Sequence, residues 1–137
     1  MSEQSFLEQR LDASTWPIAV GDIVVLLAFI FLGTLSHWPL DAMLADPTIY
    51  LAAAGPFLLG WVICAPLIGA YSPGGGSAPN SSIPLAIRSW VPAAIVGFVV
   101  RYVALPQRGV EPVFAGIMLV GGAVVISAWR FLYFKLR

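Results

Sequence analysis

Four long apolar runs constrain this chain more than any other feature. They cover residues 18–38, 48–71, 84–105 and 112–133. At a rise of about 1.5 Å per residue, the first run makes a helix of roughly 31 Å, which matches the hydrocarbon thickness of a bilayer. Lipid offers no partner to exposed backbone groups, so each run is expected to cross as an α-helix. The predicted fold is all-α, a four-helix transmembrane bundle with both termini cytoplasmic. Composition points the same way. Only 10% of the 137 residues are charged and 59% are hydrophobic. A soluble domain carries about 25% charged residues.

The segments between the runs set the boundaries. Residues 1–15 read as a polar tail or a short amphipathic helix with Phe6, Leu7 and Leu11 on one face. The acidic start, with Glu3 and Glu8, does not resemble a cleavable signal peptide. Residues 16–137 form the membrane domain. Ser14 or Thr15 can cap the first span, with Pro17 in its first turn. Pro39, Asp41, Asp46 and Pro47 break the chain before the second span. Pro56 and Pro66 lie inside that span, where a membrane helix tolerates them at the cost of a kink. Residues 72–83, rich in Gly, Ser and Pro, read as a flexible linker. The short turn at 106–111 makes the last two spans an antiparallel hairpin. No internal duplication of the kind seen in inverted-repeat transporters is visible.

Flanking cations give the orientation. Arg10, Arg88, Arg130, Lys135 and Arg137 share the side of the termini, against Arg101 and Arg108 on the other. The positive-inside rule then places termini and linker in the cytoplasm. Trp16, Tyr71, Trp90, Trp129 and Tyr133 are expected near the inner interface, with Trp38, Tyr50 and Tyr102 near the outer one. The Asn80-Ser81-Ser82 sequon would face inward and stay bare. The expected location is the cell membrane, and the lipid bilayer is the first partner.

Several function classes fall away. Seven basic and seven acidic residues balance, so there is no basic patch for nucleic acid. The single cysteine, Cys64, can form no intrachain disulfide and reads as a small core residue. One His and one Cys on different spans lack metal-ligand spacing. Gly74-Gly75-Gly76 lacks the Lys-Ser/Thr of a phosphate loop. No cofactor is expected.

The candidates that remain are ionisable groups within the spans, each costing roughly 2.5–3.5 kcal/mol near the bilayer centre. Asp22 lies about a turn inside the first span. Arg130 and Arg88 lie at matching depth on the fourth and third spans, and either can pair with it. An ion pair locking two helices and a proton- or cation-binding carboxylate are the two readings of Asp22. Asp22, Phe29, Gly33 and Ser36 follow helical spacing on one face, and Trp90, Ala94, Gly97 and Arg101 on another. These two faces are expected to meet inside the bundle. Arg101 either snorkels to the outer interface or faces an anion. His37, between Ser36 and Trp38, is an interfacial histidine or a proton-responsive group.

These residues also carry a resemblance. Gly21-Asp22-Ile23 through Phe29, Leu32-Gly33, Ser36-His37, Gly55-Pro56-Phe57-Leu58-Leu59-Gly60-Trp61, Trp90, Gly97, Arg101, Phe114 and Trp129-Arg130 together resemble the DUF3054 family of prokaryotic membrane proteins, frequent in haloarchaea and actinobacteria. The resemblance implies four helices and no assigned activity. Its matching polar positions are Asp22, Ser36, His37, Arg101 and Arg130. The Ser72 to Pro84 stretch is longer than the family's usual linker.

Three functions from different classes fit. One is a small homo-oligomeric transporter or channel with Asp22 and Arg101 lining a polar path. Another is an accessory or scaffold subunit packed through small-residue faces against a membrane-protein partner. The third is a lipid-modifying enzyme using Asp22, Arg88, Trp90, Trp129 and Arg130, although no nucleophile–base pair is evident. The balance is against an enzyme.

Overall fold

The computed structural model describes residues 11–105 and 111–136. A 3-10 turn, Ala13–Thr15, leads into α1 (Trp16–Leu35). A short α2 (Leu40–Ala45) precedes α3 (Thr48–Ile68). A second short helix, α4 (Pro73–Ser77), precedes α5 (Pro79–Ala104), and α6 (Pro112–Leu136) follows. No strand occurs among the described residues. The helices α1, α3, α5 and α6 are each long and apolar enough to cross a membrane. The fold is therefore the predicted all-α bundle of four spans. The expected tail helix falls mostly on residues 1–10, and most of the 106–111 turn, with Arg108, also lies outside the described residues.

The four spans close a ring in which α3 packs on α5, α5 on α6, α6 on α1, and α1 back on α3. Burial follows every fourth residue on two of them. On α1 the buried row is Ile18, Asp22, Leu26, Ile30 and Thr34; on α6 it is Met118, Gly122, Ile126 and Arg130. These are i±4 ridges, the rows that fit into a neighbour's grooves. Between 17% and 39% of the residues in each apolar stretch are buried in the protein. Exposed on the outer faces are Val20, Val24, Leu32, Leu59, Val62, Val99 and Val124. Such faces fit a hydrocarbon solvent and not water.

Two glycines set how closely the helices approach. At Gly60 of α3, an added Cβ would overlap the backbone carbonyl of Ala93 on α5. At Gly122 of α6 it would overlap the indole of Trp90. Trp90 fills that slot, fully buried, and its Nε1 donates to the carbonyls of Met118 and Leu119 at 3.1 Å each. Phe57, Trp61 and Trp90 form one aromatic core, with ring centroids 6.3 and 6.4 Å from Trp90.

The structure corrects three boundary expectations. Residues 72–83 are not an irregular linker, because α4 and the first turn of α5 occupy them. Pro73 and Pro79 stand at the first positions of the two helices, where proline's missing N–H costs nothing. The Ser81 hydroxyl ties them by donating to the Gly74 carbonyl. The third span consequently begins at Pro79. The second ends at Ile68, because Gly69 takes φ 107° as its left-handed cap. Trp90 and Tyr71, expected near the inner interface, are buried within the bundle. Each has its polar atom satisfied inside the bundle.

Candidate functional site

The helix ends near Asp22 and Arg130 converge on a buried polar cluster. Arg130 meets Asp22 through two parallel bonds, Nη2 to Oδ2 at 2.6 Å and Nε to Oδ1 at 3.2 Å. Both side chains are fully buried. Arg130 Nη1 also donates to Ser82 Oγ at 3.0 Å, Ser82 O at 3.2 Å and Ala70 O at 3.3 Å. Tyr71 donates its hydroxyl to Asp22 Oδ2 at 2.7 Å and accepts from Trp61 Nε1 at 2.8 Å. Its ring lies 5.6 Å from the Arg130 guanidinium carbon. Among the described residues no buried side-chain nitrogen or oxygen lacks a partner.

Local sequence builds this cluster. Gly69 reverses the chain after α3, and both it and Ala70 return their N–H to the Ala65 carbonyl. That turn aims the Ala70 carbonyl and the Tyr71 ring back into the bundle. Tyr71 is then held by its own carbonyl, which accepts from the Asp12 N–H at 2.7 Å. Asp12 in turn accepts from the N–H and hydroxyl of Ser14, which holds its carboxyl below the usual carboxylate range. Gly75 of α4 sits against the Ala70 carbonyl, and Gly76 against Thr15. This end of the bundle is sealed by side chains and capped by α4. Tyr71→Phe removes one donor from an already paired carboxylate. A thermal melt in detergent should show a loss of about 1–3 kcal/mol, as for a hydrogen bond to a charged group.

Among the described residues the opposite end is open. A cavity of about 500 Å³ lies between α1, α5 and α6, with Ala53 of α3 on its wall. Phe29, Ile30, Ile117 and Met118 give it apolar sides, and the Arg101 guanidinium stacks 4.3 Å from the Phe114 ring centroid. Ser36, His37, Trp38 and Glu111, all exposed, stand at its rim. Asp22 lies about 16 Å from Gly33 along α1, at roughly 1.5 Å per residue, and does not reach this cavity.

The candidate residues therefore fall into two groups. Asp22 and Arg130 meet at the sealed end, and Arg88 is not with them because it is exposed on the outside of α5. Ser36, His37 and Arg101 meet at the open end. Of the two helix faces expected to meet, Phe29, Gly33 and Ser36 of one and Arg101 of the other line this cavity, whereas Gly97 packs on Phe57 of α3 and Trp90 on Gly122 of α6. Sequence reading missed Tyr71, Trp61 and Ser82 as partners of the ion pair, and Phe114 and Glu111 as cavity residues. Among the described residues no three of His, Cys, Asp and Glu gather as metal ligands.

A family model described as "Protein of unknown function (DUF3054)" matches residues 19–133, which takes in both ends of the bundle. No curated protein and no solved structure matches the chain. With the match spanning all four membrane helices, the chain belongs to the DUF3054 family.

Proposed function

We propose that the protein is a small-ligand-binding protein of the cell membrane, whose working site is the cavity at the His37–Arg101 end. One observation carries this reading: the bundle is open at one end and sealed at the other. The cavity's volume of about 500 Å³ falls within the roughly 300–1,000 Å³ of small-molecule sites. It combines apolar walls with a few convergent polar groups, the usual pattern of such sites. The Asp22–Arg130 cluster has the character of a lock, because every hydrogen-bonding group in it is satisfied and none faces the cavity. A polar path along one bundle would have to break that cluster, so binding is favoured over conduction through a single chain. The cation bias of the flanks supports a sealed end at the cytoplasm and a cavity facing out.

Accessibility tests the reading. Gly33 lines the cavity and has open space where a side chain would go, so Gly33→Cys fits without a clash. A membrane-impermeant maleimide should label it from outside intact cells. Ser89→Cys, fully buried in the sealed half, should react only after denaturation. No labelling of Gly33→Cys in folded protein would remove the cavity reading. Labelling from the cytoplasmic face alone would reverse the orientation.

A further inference from the structure

We infer that the cavity takes an uncharged lipophile, admitted from the bilayer through a slit between α1 and α6. The inference rests on the cavity being the working site and adds its ligand class and entrance. Two rows of side chains, each spaced by four, form the α1–α6 seam. On α1 the row is Gly21, Val25, Phe29 and Gly33; on α6 it is Val113, Ile117, Gly121, Val125 and Trp129. The inner part of the seam is closed. A Cβ added at Gly21 would strike the Trp129 ring, and one at Gly121 would strike the Phe29 ring. All four of these residues are half-buried. One turn farther out the rows part. No described atom lies within 4 Å of where a Gly33 Cβ would stand. Val113 and Ile117 continue the α6 row, yet they are 75% and 57% exposed. Gly33, Val113 and Ile117 also line the cavity, so the parted seam joins the cavity to the outer face of the bundle.

The slit and the walls set the ligand's chemistry. The slit lies within the apolar lengths of α1 and α6, where a charged group is costly. A molecule that passes there is one that dissolves in hydrocarbon. Inside, Phe29, Ile30, Ile117 and Met118 give an aromatic and aliphatic lining. The Arg and the Glu on that lining, Arg101 and Glu111, bring one charge of each sign. Arg101 is moreover engaged already, by the Phe114 ring and by a further interaction. The Thr34 and Ser36 hydroxyls donate to the Ile30 and Gly33 carbonyls, which leaves their neutral oxygens as acceptors. A hydrocarbon chain ending in an uncharged polar group, such as an alcohol, matches this combination of apolar walls and few polar groups.

The Gly33→Cys protein in phosphatidylcholine nanodiscs provides the test, with dodecanol as probe. The native Cys64 is buried, and Asp41→Cys, exposed on α2, is the control. At about ten times its half-saturating concentration, dodecanol should slow maleimide labelling of Gly33→Cys roughly tenfold and leave labelling of Asp41→Cys unchanged. Dodecanoate and dodecyltrimethylammonium, of equal chain length, should protect neither cysteine. Bimane attached to Gly33→Cys should be quenched by phosphatidylcholine that carries a nitroxide on its acyl chain, because the slit opens to hydrocarbon. Protection by either charged probe equal to that by dodecanol overturns the uncharged class. Quenching by aqueous iodide alone overturns entry from the bilayer. A disulfide formed between two chains at Gly33→Cys puts a second copy in the slit and overturns the inference as well. Labelling without any protection by dodecanol overturns the ligand class and leaves the cavity reading standing, whereas absence of labelling defeats both.

Discussion

Arg130→Met should destabilise the bundle by about 3–5 kcal/mol, the cost of leaving the other half of a buried ion pair without its partner. Asp22 loses both bidentate bonds and keeps only the Tyr71 hydroxyl. Ser82 Oγ and the Ala70 carbonyl lose the donor that reached them across the helix interface. Asp22→Asn should fall in the same range, because it leaves the guanidinium charged and fully buried. The double replacement Asp22→Leu with Arg130→Met should recover most of the loss, since well-packed apolar residues often replace a buried pair at little cost. Unfolding in mixed micelles by titration with dodecyl sulfate checks all three. A double variant as unstable as either single one would show that the cluster does more than lock helices. If the cavity is the working site, the double variant should also keep Gly33→Cys labelling unchanged.

The pair itself was legible in the sequence because a charge in a membrane span is costly, and two opposite charges at one depth are natural partners. Depth alone did not separate Arg130 from Arg88. Helix phase does: α5 buries Ser82, Ala86, Ser89 and Ala93, a row spaced by three and four residues that Arg88 misses. Arg130 continues the every-fourth row of Met118, Gly122 and Ile126. Tyr71 and Ser82 were hidden for a different reason. Both stand beside or within a Gly-, Ser- and Pro-rich stretch that reads as a linker. The signals that could have found them were Gly69 as a helix cap and Pro79 as a helix start. The positions of Ser36, His37 and Arg101 at one end were readable from span boundaries. The cavity they share was not, because it depends on how far the helices separate beyond their tight contacts, and spacing along one chain does not encode that.

Those tight contacts lead to the second large effect. Gly60→Ala should cost about 1–3 kcal/mol, the range for overpacking a close-packed site, even though alanine favours helix over glycine by about 1 kcal/mol. The methyl would land on the Ala93 carbonyl, and backbone has no rotamer with which to yield. The helices α3 and α5 must then move apart at the point where Phe57, one turn before, packs into the space at Gly97, and where Trp61, the next residue, meets Trp90. Gly55→Ala on the same helix is the control. It is exposed, and nothing lies within 4 Å of its new methyl, so it should be neutral or slightly stabilising. The same dodecyl sulfate titration compares them, and equal effects at the two sites would refute close backbone approach as the cause. A separation of α3 from α5 would also loosen Trp61, whose indole N–H holds the Tyr71 hydroxyl that bonds Asp22. Gly60 therefore supports the ion pair through packing alone. Combining Gly60→Ala with Tyr71→Phe should cost less than the sum of the two, because the first change already weakens what the second removes.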